Sequence, residues 1–297
     1  MILLIGAPGN IGTAAAAALL ARVGRDGLRA GAVYDAAATA LRELGLTDVV
    51  RADLRDPASL DRAFPGVERL VLITPFVPDQ ADLEIAALDA AARAGVERVV
   101  KLSPTHADRD RYPVTPANST PHVVSEAHAA RLGLPLTIVR AEAFTSNLLA
   151  QVPAIAGGLL VYPGGDAGMT WTDPRDIGDA MAVVATSEQP AREVLWVTGP
   201  EALPFAELAA RISTAVGSPV HYVDADPVQW RAQLEAAGLP AYWADALVEM
   251  FACYRDHGPV RTDTVAELLG HPARPVDVFL RQSLAPAVAT ARVTDRK

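Results

Sequence analysis

One cysteine, two lysines and few aromatic side chains limit what this 297-residue chain can do. The lone Cys253 excludes an internal disulfide and any zinc cluster built on thiolates. Its setting, Met250-Phe251-Ala252-Cys253-Tyr254, is that of a small core residue rather than a nucleophile. Lysine occurs only at Lys101 and Lys297, no arginine-rich run compensates, and the net charge is −9. Phosphate backbones need clustered cations, so a nucleic-acid partner is excluded. No apolar stretch reaches membrane-spanning length, and Met1 leads straight into an apolar segment without a charged leader. A cytoplasmic protein with neither signal peptide nor membrane span is the expectation. His221, His257 and His271 lie without clustered carboxylates, no metal-ligand spacing occurs, and no metal is expected.

What is present begins at the first residues. Ile2 to Ile5 run into Gly6-Ala7-Pro8-Gly9-Asn10-Ile11-Gly12 and then into an alanine-rich stretch closed by Leu19 and Leu20. That order reads as buried strand, glycine turn and helix. Gly6 permits the tight exit from the strand, Gly9 lets a phosphate approach the backbone, and Gly12 lets the helix pack on the sheet. The helix then offers unpaired N–H groups to an anion. The spacing G-x-x-G-x-x-G has one more residue in its first gap than the common dinucleotide fingerprint, and its place between strand and helix favours nucleotide binding over packing alone.

Strands at 27–33, 47–51, 69–73, 98–102 and 136–139 alternate with helices, which implies an α/β, Rossmann-like doubly wound parallel sheet. Residues 1–150 form this dinucleotide-binding domain, with 172–198 returning to it. Residues 151–297 form a smaller, mostly helical substrate lobe. Ligands bind such sheets at the carboxyl ends of the strands. The loops to inspect are therefore Gly6–Gly12, Tyr34-Asp35, Asp53-Leu54, Thr74-Pro75-Phe76 and Ser103–His106, with the proline-rich stretch 107–121 lying over them.

The segment order resembles the atypical short-chain dehydrogenase/reductases of the NmrA-like, NAD(P)H-binding class. Gly6–Gly12 is similar to their G-A-T-G-x-x-G turn with Pro8 in place of threonine, and Arg51-Ala52-Asp53-Leu54 to their x-x-D-L. Leu132–Arg140 resembles G-L-P-x-T-I-L-R-P, followed by Phe144 and Asn147 of F-x-x-N, and Val197–Leu203 and Thr262–Gly270 add two further matches. The resemblance implies a nicotinamide dinucleotide across the strand ends, with Gly6, Pro8, Gly9, Asn10, Ile11 and Gly12 at the phosphates and Asp53-Leu54 near adenine. It places Thr74, Pro75 and Phe76 beside the ribose and Ser103 near the nicotinamide. The family includes quinone, dye and enone reductases as well as redox-sensing regulators. The expected activity is reduction of a quinone, enone or similar conjugated ketone by a monomer or homodimer. The alternatives are a dinucleotide-binding sensor without turnover, or a former dehydrogenase catalysing a non-redox cyclisation or isomerisation.

Two departures bear on chemistry. The family's arginine for the 2′-phosphate of NADP falls on Val33, while Asp35 either accepts from the ribose hydroxyls or caps the helix beginning at Ala36; both points favour NADH. Arg29 lies too far back in its strand to replace the missing cation. No Tyr-x-x-x-Lys pair occurs, so the ordinary short-chain proton donor is absent. Ser103, His106, Tyr112 and His122 are the candidates left. His122 and Glu126 share a helical face, where the carboxylate either tunes the imidazole as a donor or forms a surface pair. The loop around His106 looks solvated, and Lys101 is expected as a strand-edge cation. Phe76, Phe144, Tyr162, Trp171 and Trp230 offer an aromatic wall for a planar aromatic substrate, with His106 and Asn147 as polar contacts.

Overall fold

The structure, a computed structural model, describes residues 1–188 and 193–294. Seven parallel strands form the main sheet: β1 (Ile2–Ile5), β2 (Leu28–Ala32), β3 (Asp48–Arg51), β4 (Arg69–Leu72), β5 (Arg98–Pro104), β6 (Leu136–Ala141) and, later in the chain, β9 (Val194–Val197). Their order is β3-β2-β1-β4-β5-β6-β9, so the winding reverses between β1 and β4.

Because successive side chains of a strand point to opposite faces, β1 feeds two cores. Ile2 and Leu4 enter one with α1 (Asn10–Val23), α2 (Asp35–Glu43) and α7 (Pro174–Thr186). Leu3 and Ile5 enter the other with α3 (Pro57–Ala63), α4 (Gln80–Arg93) and α5 (Thr120–Leu132). The alanine run of α1 now has a reason, since Ala15 and Ala16 are fully buried where α1 packs against α7. Asp173 caps α7 by accepting from the Arg175 N–H, with Pro174 as the first helical residue.

The rest of the chain builds a second core. It contains α6 (Val152–Ala156), β7 (Leu159–Tyr162), β8 (Gly168–Thr170), β10 (Ala202–Pro204), α8 (Phe205–Val216), β11 (His221–Asp224), α9 (Pro227–Ala236), α10 (Ala241–His257), α11 (Thr264–Leu269), α12 (Val276–Phe279) and α13 (Ala285–Thr294). α11 lies apart from the others, because Val265 packs into the α1 and α7 side of the sheet. The two-stranded pairs β7·β11 and β8·β10 were not evident as sheets in the sequence, because strands of three or four residues exist only through their partners.

The expected aromatic wall does not assemble. Tyr162, Trp171 and Trp230 are interior residues packed with Phe205 and Phe251, the Tyr162 and Phe251 rings stacking at 4.9 Å. Phe144 packs instead against the sheet core. Among the described residues no helix is long and apolar enough to cross a membrane.

Candidate active site

The glycine turn separates into two fold-determined positions and one free one. Gly6 has φ 88°, and a Cβ there would sit 2.1 Å from the Ile73 carbonyl oxygen; a Cβ on Gly12 would sit 1.9 Å from that of Gly6. Both glycines are required by the chain itself. Gly9 is not: its φ of −79° suits any residue, and the nearest atom to an added Cβ is 3.6 Å away. Yet Gly9 is the residue preceding α1, which has no side-chain cap and no acidic residue in its first turn. The Thr13 N–H bonds the Gly9 carbonyl at 2.7 Å, so the N–H groups of Asn10, Ile11 and Gly12 precede the first intrahelical bond. An anion fits this bare terminus at the sheet's switch point.

Beyond β2, Tyr34 is 74% exposed and Asp35 is exposed beside it. The capping role considered for Asp35 does not form. α2 already begins at Asp35, the residue in the cap position is Tyr34, and no side chain caps the helix. Arg29 is engaged at the far end of β2, donating to Asp48 at 2.9 Å and to the carbonyls of Ala63 and Pro65. Arg55 is held bidentately by Asp79 at 2.8 and 2.7 Å, which joins the loop after β3 to the start of α4. Asp53 accepts from the Arg55 N–H at 3.0 Å.

Below the ends of β4 and β5 lies a buried polar network that changes two sequence expectations. Lys101 is not a strand-edge cation: it is fully buried in the middle of the sheet, its Nζ 3.1 Å from Glu84 Oε2 and 2.7 Å from His122 Nδ1. Glu84 accepts from Thr74 Oγ1 at 2.5 Å, from Gln80 at 3.2 Å and from the Ser125 hydroxyl. Burial pushes the Glu84 carboxyl up, but Lys101 and His122 outweigh it and hold the group well below the usual carboxylate range.

The expected His122–Glu126 pair does not form. His122 turns to Glu84 and Lys101 through Nδ1 and to Gln80 through Nε2, and burial followed by Lys101 lowers its pKa. Glu126 is taken instead by Arg140, with two contacts of 2.8 Å, and by the Ser103 hydroxyl at 2.7 Å. Ser103 is thereby fixed between Glu126 and Arg140.

The stretch after β5 is less solvated than its charges suggested. Thr105–Ala107 form a short 3₁₀ turn with all three residues buried. His106 packs between Tyr112 at 4.7 Å and Tyr254 at 4.6 Å, and burial lowers its pKa to about 3. Tyr112, a proposed donor, is fully buried with its hydroxyl on the Gly258 carbonyl at 3.4 Å, and burial pushes it up to about 12. The loop is pinned to the second core by Arg111 on the His257 and Pro259 carbonyls and by the Ala117 N–H on Glu249.

Two features went unnoticed in the sequence. Phe76 meets Trp243 edge-on at 4.6 Å and Tyr242 at 5.7 Å, a partly exposed aromatic cluster joining the loop after β4 to α10. Glu142, the residue after β6, is buried beside the hydroxyls of Thr105 and Tyr254, with no ion pair among the described residues. Its signal was an acid between Ala141 and Ala143 directly behind a buried strand. Asn147 is exposed. A shallow, open depression of about 720 Å³ is lined by α8 and the segment leading into β11, and contains none of the strand-end residues.

Comparison with known proteins agrees with this fold. The chain is 33% identical over 290 residues to the NAD(P)H azoreductase of Xenophilus azovorans, covering 96% of this chain and 98% of that one. It is 30% identical over 275 residues to quinone oxidoreductase 2 of Escherichia coli (strain K12), covering 92% and 94%. The solved Escherichia coli NADPH-dependent quinone oxidoreductase, complexed with NADPH, superposes with a TM-score of 0.84 at 28% identity over 98% of this chain and 99% of that one. The Citrobacter triphenylmethane reductase complexed with NADP(H) shares the fold, with a TM-score of 0.85 at 21% identity over 95% of this chain and 100% of that one. The NmrA-like family model matches residues 1–277, and the chain belongs to the NmrA-like family.

Proposed function

We propose that this protein is an NAD(P)H-dependent reductase of a quinone, enone or similar conjugated ketone. The observation that carries the reading is the uncapped α1 terminus with its unforced Gly9 at the switch point. Its weight comes from relatives over nearly the whole chain that are named as NAD(P)H azoreductase and quinone oxidoreductase.

In this reading the N–H groups of Asn10, Ile11 and Gly12 hold the dinucleotide phosphates, with Gly6, Pro8 and Gly9 shaping the turn. Asp35 and Tyr34 meet the adenosine ribose, Asp53 and Leu54 border the adenine, and Thr74, Pro75 and Phe76 border the remaining ribose. The bound nicotinamide supplies a hydride near Ser103. The buried Glu84–Lys101–His122 and Glu126–Arg140 pairs fix Thr74 and Ser103, which keeps both strand ends in place. Tyr112 and His106 support the loop that closes the site. The planar acceptor lies against Phe76, Tyr242 and Trp243, with the exposed Asn147 as a polar contact. The exposed carboxylate of Asp35 and the absence of a cation at Val33 favour NADH.

Anaerobic mixing with NADH or NADPH and a panel of quinones, enones and azo dyes tests the reading. Oxidation of the dinucleotide with at least one acceptor is expected. Tight dinucleotide binding without oxidation by any acceptor would refute reductase activity and leave the sensor alternative.

A further inference from the structure

Strand register places Ser103 beside Arg140 and Pro104 beside Ala141, so the next residues, Thr105 and Glu142, lie side by side. Both lie just beyond the carboxyl ends of β5 and β6. Glu142 is 2% exposed, and the hydroxyls of Thr105 and Tyr254 are the groups that reach its carboxylate. The groups facing it are Thr105 from the turn after β5, Tyr254 from α10, and Tyr112 and Arg111 from the long loop. Arg111, the cation of the set, is directed to the His257 and Pro259 carbonyls. Among the described residues a charged carboxylate here has no ion pair, only loose contacts from neutral hydroxyls, whereas a neutral acid keeps an O–H to give. His106 Nε2, Thr145 Oγ1 and Ser146 Oγ on the same two segments are buried without hydrogen-bond partners among the described residues. Buried polar groups are normally paired, and orphaned ones gathered at strand ends point to a polar ligand.

Resting on the reductase reading above, we propose that Glu142 is the proton donor to the acceptor. The acceptor gains a hydride from the reduced dinucleotide, and the Glu142 O–H bond breaks as its proton passes to the acceptor oxygen or nitrogen that takes up the negative charge. Water then returns a proton to the carboxylate. Each cycle consumes NAD(P)H, the acceptor and one proton, and yields NAD(P)⁺ and the dihydro-product. Burial keeps the Glu142 pKa up at about 7, against the opposing influence of Thr105, Tyr254 and Arg111, so the donor form persists to neutrality.

The test is Glu142→Gln, which preserves shape, with Glu142→Asp as a second variant that preserves the acid. Glu142→Gln is expected to lower turnover about a hundred- to ten-thousandfold with unchanged dinucleotide affinity. Wild-type turnover should fall as pH rises through about 7; that limb should vanish in Glu142→Gln and return in Glu142→Asp. Independently of turnover, the infrared difference between wild type and Glu142→Gln should show a protonated carboxyl at pH about 6 that disappears above about 7. A variant with the wild-type rate and pH profile, or no protonated carboxyl at the lower pH, overturns the proposal. A wild type that oxidises dinucleotide with no acceptor overturns the reductase reading and this role together. That failure is distinguishable, because the wild type and not only the variant is then silent.

Discussion

Replacing Lys101 with methionine isolates the central buried ion pair. Lys101 and Glu84 are both 0% exposed with 3.1 Å between their charged atoms, so neither can turn to water when the other is removed. Removing one partner of such a pair costs about 3–5 kcal/mol, because an uncompensated charge stays behind. Glu84 keeps its bonds from Thr74, Gln80 and Ser125, which places the expected loss near the lower end, about 3 kcal/mol. At about 2–4 °C per kcal/mol for chains of comparable size, the melting temperature should drop by roughly 6–12 °C. Urea unfolding at pH 7 measures the free energy directly, and adding Glu84→Gln to Lys101→Met should recover most of it.

The pH dependence supplies a second check. In the wild type the folded pKa of Glu84 is depressed, so its contribution is present above the ordinary carboxylate value and is lost only as pH falls through the depressed one. Without Lys101 that pKa rises and Glu84 protonates on mild acidification. The deficit of the variant should therefore shrink between pH 7 and pH 5. A loss under about 1 kcal/mol at pH 7, or a deficit that widens on acidification, would refute the assignment of the pair as a desolvated, mutually dependent unit.

Gly9→Ala should fold with near wild-type stability but bind dinucleotide at least tenfold more weakly, whereas Gly12→Ala should yield little folded protein; calorimetry and expression yield distinguish them. NADH should bind at least as tightly as NADPH, and Val33→Arg should improve NADPH by about ten- to a hundredfold, from a charge-assisted pair of roughly 1.5–3 kcal/mol. A tenfold NADPH preference in the unmodified protein would mean that Arg51 or Arg55 reaches the phosphate. Trp243→Ala should raise KM for a planar acceptor severalfold with a smaller effect on kcat, since an aromatic contact contributes about 0.5–1.5 kcal/mol. Glu142→Gln should be more stable than wild type at pH 7, by up to about 3 kcal/mol. The raised folded pKa of Glu142 lowers wild-type stability as pH climbs from the ordinary carboxylate value through about 7, so the advantage should fade toward pH 4.5 in denaturation curves.

Sequence alone determined what depends on neighbours along the chain. The apolar run into Gly6–Gly12 specifies strand, turn and helix, Asp173-Pro174 and Asp226-Pro227 start helices through caps within one turn, and the alternation of strands and helices leaves a doubly wound sheet as the economical arrangement. Tertiary structure decided which polar side chains meet. His122 and Glu126 share a helical spacing, yet the chain places Glu84 and Lys101 against one and Arg140 against the other, across α4, β5 and β6. Lys101 looked like an edge residue because strand periodicity assigns it a face but not what covers that face; α4 brings Glu84 there, seventeen positions away in sequence. Glu142 showed only as an acid directly behind a buried strand, for the same reason. Its carboxyl meets Thr105 from the turn after β5 and Tyr254 from α10, and desolvation depends on every atom that surrounds a group rather than on the residues beside it in the chain.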